Sequence, residues 1–155
     1  MKTEAVSILE GLGIPHVIRR FRATDLSAEE AARILDVPLD RVIKTLVVRG
    51  DRTGVMRVLM PGTKRLSLRK LARISGNRRA EFVPAGDLPR LTGYRRGGVS
   101  PLGGRATHPV YCDASILTFP RILVNAGIRG LQLDLEPGDL VRAVAARAAD
   151  LAEGE

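Results

Sequence analysis

The sequence predicts one α+β domain over residues 1–155, built around a mixed β-sheet, and three observations predict it. The 155 residues match the size of a single domain and suffice for one hydrophobic core. Helical and strand-like apolar patterns alternate irregularly, without a repeated βαβ period. No repeat, low-complexity segment or linker divides the chain.

The elements follow in order. Val6, Leu9 and Leu12 stand at helical spacing, which predicts a helix over 3–12 stopped by Gly13. Pro15 opens an extended stretch through Phe21. Ser27 and Glu30 form an S-x-x-E capping signature before Ala31–Leu35. Pro38 starts a short helix that leads into Val42-Ile43-Lys44. Strands over 46–49 and 55–59 flank Gly50-Asp51-Arg52-Thr53-Gly54, a hairpin loop by composition. Ser67 caps a helix to Ile74, 80–83 is a short strand, and 84–91 is a helical turn. A glycine-rich loop spans 93–104. Strands follow at 110–112, 121–124 and 132–135, and Pro137 opens a final amphipathic helix ending near Ala152.

Lys and Arg number 25 against 17 acidic residues, a formal net charge of +8 with a pI near 10.7. A basic domain of this kind attracts polyanions. No apolar run approaches a membrane span, and Glu4 and Glu10 interrupt the N-terminal apolar pattern, which excludes a signal peptide. The lone Cys112 forms no internal disulfide, and no CxxC pair suggests a metal. A cytoplasmic protein with no metal, no cofactor and no membrane partner is the resulting expectation. Cys112 lies in a strand-like run and reads as a small buried hydrophobe.

Three places carry candidate chemistry. Lys44 is one of only four lysines and sits within Val42–Val48, where its ammonium reaches either a ligand or the surface. The loop Gly93-Tyr94-Arg95-Arg96-Gly97-Gly98-Val99-Ser100-Pro101-Leu102-Gly103-Gly104 holds five glycines, which let main-chain N–H groups approach phosphate or a developing oxyanion. It has neither Walker nor dinucleotide-loop spacing, and composition alone equally allows a flexible surface loop. Asn125 closes an apolar strand before Gly127 and Gly130, as a ligand-binding amide or as a plain turn residue. Ala31–Ile43 also admits a helix-turn-helix reading, although Val42 and Ile43 are poor side chains for base edges.

The segments Val42–Val48, Thr92–Gly103 and Gly127–Leu131 followed by Asp139-Leu140 resemble, in order, the motifs of the YbaK family, the prolyl-tRNA synthetase-associated editing domain. The likeness runs from about Thr3 to Leu151. It implies a mixed, partly barrel-like sheet surrounded by helices, and cleavage of the ester of a mischarged tRNA in trans. The implied substrate is Cys-tRNA(Pro) or one carrying a related small amino acid, and the implied partners are the tRNA acceptor end and, in some members, prolyl-tRNA synthetase. The family lysine falls on Lys44 and the catalytic glycine on Gly98 or its neighbours Gly97 and Val99. Asn125 stands where the branch usually has serine, and Phe21 where it has an aromatic hydroxyl. The expected site therefore comprises Lys44, Gly98 and Asn125 as catalytic residues. Substrate contacts are expected from Phe21, Thr45, Tyr94, Gly97 and Val99, and also from Ser100, Pro101, Gly127 and Arg129. A member that binds tRNA or a synthetase without cleaving the ester is the alternative.

Overall fold

A long hairpin organises the molecule. The structure, a computed structural model, describes residues 2–154. The first helix, α1 (Glu4–Gly11), is capped by Thr3 and followed by β1 (Val17–Arg20) and α2 (Ala28–Leu35). The hairpin is β2 (Ile43–Gly50) paired antiparallel with β3 (Gly54–Pro61) along its whole length. Then come α3 (Leu68–Ser75), β4 (Ala80–Phe82) and α4 (Leu88–Thr92). The chain ends with β5 (Val110–Asp113), β6 (Ile122–Asn125), β7 (Leu131–Leu135), α5 (Pro137–Val144) and β8 (Arg147–Ala149).

The strands form two sheets. One has the order β1-β7-β6 and is antiparallel; the other has the order β4-β2-β3-β5-β8 and is mixed, with β5 parallel to both β3 and β8. The α+β class and the mixed sheet are as expected. The partly barrel-like closure is corrected: among the described residues a single bridge, Val42 to Leu123, joins the sheets, and no barrel closes. The cause lies in β2. Its edge away from β3 is joined to β6 only through Val42 and to β4 only from Val47 onward, where the Val83 amide reaches the Val47 carbonyl at 3.0 Å. Between those two joints the edge of β2 is free, and a cleft opens there.

Two apolar cores flank the hairpin. Leu9, Leu59, Val124, Leu133 and Leu140 pack on one side, and Met56, Met60, Leu71 and Leu151 on the other. Burying each such side chain contributes ~1.5–3 kcal/mol. Cys112 is fully buried in the first core, where burial and Asp113 push its thiol pKa up to about 11.

Local signals held at the helix starts. Ser27 Oγ accepts the Glu30 amide at 3.0 Å, and Ser67 Oγ accepts the Lys70 amide at 3.1 Å. Glu30 does not complete the reciprocal half of the box. Its carboxylate instead accepts the Thr24 amide at 2.9 Å, while Asp25 takes the Ser27 amide at 2.9 Å. The final helix is shorter than its pattern suggested. It stops at Val144, Ala145 turns into the left-handed region at φ 51°, and the next residues add to β5 as strand β8. The helix-turn-helix reading also fails. After α2 the chain makes one 3-10 turn, Leu39–Arg41, and enters β2, so no second helix exists to read a groove. No helix among the described residues is long and apolar enough to cross a membrane.

Candidate functional site

The cleft has a volume of about 520 Å³, within the range of small-ligand sites. The free stretch of β2 forms its floor. The first turn of α2 and Phe21 close one side, Asn125 and Gln132 of the smaller sheet another, and Gly97 and Val99 of the glycine-rich loop a third.

Lys44, the second residue of β2, reaches the cleft half-buried. Its Nζ donates to the Lys64 carbonyl at 2.8 Å, which fixes the side chain and leaves two of its three N–H donors for a ligand. Burial pushes its pKa below the ordinary lysine value; Arg65 adds to this and Glu29, on the cleft rim, opposes it. The neighbouring Thr45 hydroxyl and the Gln132 amide oxygen are buried and meet no partner within the protein among the described residues. Buried polar groups are almost always hydrogen-bonded. Both oxygens are closed off from the cleft as well as from protein donors, so they lie unsatisfied in its wall rather than presented to its contents.

The glycine-rich loop is held from behind. Arg57 of β3 is 2 % exposed and has no carboxylate partner among the described residues. It donates instead to the carbonyls of Ser100 at 3.0 Å, Gly103 at 2.8 Å and Ala106 at 3.1 Å, and to His108 Nδ1 at 3.2 Å. Its guanidinium also stacks 5.7 Å from the centre of the Tyr94 ring. Desolvation depresses the pKa of His108, and the Arg57 charge lowers it further, so the ring accepts as a neutral imidazole. Asn125 ties the loop to the β6–β7 turn: its Nδ2 donates to the Gly97 carbonyl at 3.0 Å, and its Oδ1 accepts the Gly127 amide at 2.7 Å.

Gly97 carries a φ of 82° at the third position of the turn closed by the Gly98 amide on the Arg95 carbonyl, 2.8 Å. That position suits glycine, and an added Cβ would stand 2.9 Å from Leu26 Cβ.

The structure thus brings Lys44, Thr45, Asn125, Phe21, Gly97 and Val99 to one cleft. The other expected residues do not line it. Gly98 is buried with its amide spent in the turn, and a Cβ there would meet the Arg129 amide at 3.2 Å. Tyr94 donates its hydroxyl to the Leu102 carbonyl at 2.5 Å and packs under Gly127, where an added Cβ would come within 2.9 Å of its ring. Ser100 is fully buried, its Oγ accepting the Leu102 amide at 3.1 Å, and Pro101 is buried beside it. Arg129 is exposed and donates to the Arg96 carbonyl at 2.9 Å.

Sequence reading missed Gln132, Glu29, Arg96 and Arg57. The signal for two of them was a polar side chain inside an apolar strand, in Leu131-Gln132-Leu133 and Met56-Arg57-Val58.

Residues 25–143 match the family described as the aminoacyl-tRNA editing domain. A protein of Enterococcus faecalis named as a candidate Cys-tRNA(Pro)/Cys-tRNA(Cys) deacylase, EbsC, is 38 % identical over 138 residues, covering 88 % of this chain and 84 % of that one. A proline–tRNA ligase of Lactobacillus helveticus is 26 % identical over 106 residues, 68 % of this chain but 19 % of the ligase. The solved structure of a candidate trans-editing enzyme for prolyl-tRNA synthetase superposes with a TM-score of 0.85 at 29 % identity, covering 96 % of this chain and 94 % of the other.

Proposed function

We propose a substrate and a chemistry for this chain, which belongs to the aminoacyl-tRNA editing domain family: it removes, in trans, a small amino acid wrongly esterified to a tRNA, with Cys-tRNA(Pro) as the leading substrate. The name of the Enterococcus relative supports the cysteinyl substrate. Prolyl-tRNA synthetase is the proposed partner, supported by the likeness to a segment of proline–tRNA ligases. A cytoplasmic site of action is part of the same proposal.

One observation carries the chemistry: a lysine ammonium with free donors shares a cleft with Gly97 and Val99 of the glycine-rich loop. An aminoacyl ester is already activated. The site must hold the terminal adenosine, fix the ester and stabilise the oxygen that becomes negative. Lys44 would face the ester carbonyl or the adjoining phosphate, and the Gly97 and Val99 amides the developing oxyanion. One such donor contributes about a hundredfold in rate. Asn125 acts as a positioning residue, since both ends of its amide hold the loop. Thr45 and Gln132 line the same cleft and would pack beside the bound amino acid.

The attacking group is a positioned water or the substrate itself. For a cysteinyl ester, the thiol sulfur bonds to the carbonyl carbon, the ester C–O bond breaks, and the thiol proton passes to the departing ribose oxygen. Proximity supplies much of that acceleration. Neither Cys112 nor Ser100 is placed as a protein nucleophile, because both are fully buried away from the cleft.

A panel of Cys-, Ala- and Ser-tRNA(Pro) tests the proposal. Release is expected fastest from the cysteinyl ester and about a hundredfold slower with Lys44→Ala. A Lys44→Ala protein with unchanged rate would remove the lysine from the mechanism. A wild-type protein that binds tRNA and leaves all three esters intact would replace editing by simple binding.

A further inference from the structure

We propose that a second groove, beside Phe82, is the track for the phosphate backbone of the RNA whose 3′ end enters the cleft; this rests on the editing reading above. The groove holds about 540 Å³ and lies between α3, β4 and the end of β2. Four arginines line it: Arg49 from β2, Arg69 from α3, and Arg78 and Arg79 from the loop between α3 and β4. All four are exposed, and none pairs with a carboxylate among the described residues.

Two acids share the groove, and their geometry matters. Asp51 is occupied: its Oδ1 accepts the Arg78 and Arg79 amides at 2.9 and 3.0 Å and so sets the loop that presents both guanidinium groups. Glu81 stands on β4 directly across from Arg49. Four arginines against the two carboxylates, Asp51 and Glu81, still leave a positive groove on a chain already at +8.

The groove is also pre-built. Buried Asn77 accepts the Arg52 and Thr53 amides at 2.7 and 2.9 Å, and donates to the Thr53 and Ser75 hydroxyls at 2.8 and 2.7 Å. It clamps the β2–β3 turn to the end of α3. Gly50 leaves room for this, since a Cβ there would fall 2.3 Å from the Asn77 amide. A wall fixed in advance lowers the ordering cost of binding.

Cleft and groove share their border strands. Val47 of β2 faces the cleft and Arg49 the groove, about 7 Å along the strand. On β4, Phe82 lines the cleft and Glu81 the groove. Phe82 is half exposed at this junction, a platform on which a single-stranded base can stack. Guanidinium forks suit phosphate, and phosphate contacts position a nucleic acid without reading its sequence. The shared border, the stacking ring and the arginine forks favour a nucleic-acid strand over an acidic protein.

The test is salt-dependent binding of uncharged tRNA to wild type, to R49Q/R69Q/R78Q/R79Q, and to the matching four-lysine variant. The glutamine variant should lower the slope of log affinity against log salt by about 3, at 0.7–0.9 per lost contact, and the lysine variant should restore it. With aminoacylated tRNA, KM should rise at least tenfold while kcat holds. An aminoacyl ester of adenosine alone, which carries no phosphate to meet the groove, should be cleaved equally by all three proteins. Slope and KM unchanged in a glutamine variant whose melting is normal would overturn the track. If that variant fails to fold, R69Q and R79Q singly carry the same test, each lowering the slope by about 0.8. Failure of wild type to cleave either ester would instead sink the editing reading, leaving the binding slope to decide the groove.

Discussion

Lys44 and Arg57 stand on adjacent strands of one hairpin, yet they belong to opposite regions of the molecule. Lys44 faces an open cleft, is half-buried and uses one donor on one carbonyl. Arg57 faces the layer behind the glycine-rich loop, is buried, and spends its donors on three carbonyls and a histidine ring. The difference teaches where the protein spends stability and where it keeps capacity. A cation whose hydrogen bonds are all internal is structural, however buried it is. A cation with donors in reserve on an open cleft is available to a ligand.

Replacing each cation should separate the two regions, and the largest effect belongs to Arg57. Arg57→Leu takes the donor from the carbonyls of buried Ser100, of half-buried Gly103 and of Ala106 and loosens the loop; a loss of about 3–5 kcal/mol is expected in urea denaturation. A loss under 1 kcal/mol would dissolve the distinction. Lys44→Ala should do the reverse, costing about 3 kcal/mol of transition-state stabilisation in the deacylation assay while the urea midpoint barely moves.

Gly97→Ala probes the boundary, since it touches both regions. A side chain at φ 82° against Leu26 should cost ~1–3 kcal/mol of stability and slow deacylation together. Gln132→Leu sharpens the contrast further. Removing an orphaned oxygen should leave stability unchanged or raise it slightly, by up to about 1 kcal/mol, while KM rises. Stability that falls with KM unchanged would make Gln132 structural.

The smallest effect is expected at Cys112. Its thiol should resist alkylation at pH 8 in the native protein and react on unfolding. Because its folded pKa is raised to about 11, the protonated thiol favours the fold. That contribution is present below the ordinary thiol pKa and lost as pH climbs toward 11.

Much of this architecture was legible because its causes are local. Thr3, Ser27 and Ser67 cap helices through bonds to residues three positions on, so a window of a few residues contains the reason. The hairpin was readable from two β-rich runs around Gly50–Gly54. Other features had causes outside any window. The end of α5 carries no glycine stop, and β8 forms because β5 offers a free parallel edge: Tyr111 pairs with Arg147 from far along the chain.

The candidate site divides the same way. The family-like motifs marked Lys44, Gly97, Val99 and Asn125, and the fold gathers them on one cleft. The motif did not say which of its glycines would show its backbone to that cleft. In the structure Gly97 lines the cleft, as does Val99, while the Gly98 amide closes a turn. Nor could it show that the Asn125 amide would hold two loops, or that Gln132 would be left unpartnered.

By itself the sequence determined the α+β class, the helix starts, the hairpin, the basic surface and the residues from which a cleft could be made. Only the tertiary structure decided that two sheets stay unclosed, that the free edge of β2 between Val42 and Val47 becomes the cleft, and that Arg57 braces its wall. The physical reason is range. Caps and turns are satisfied within a few residues, whereas a strand edge is free or filled, and a buried donor paired or orphaned, only by what distant segments bring to it.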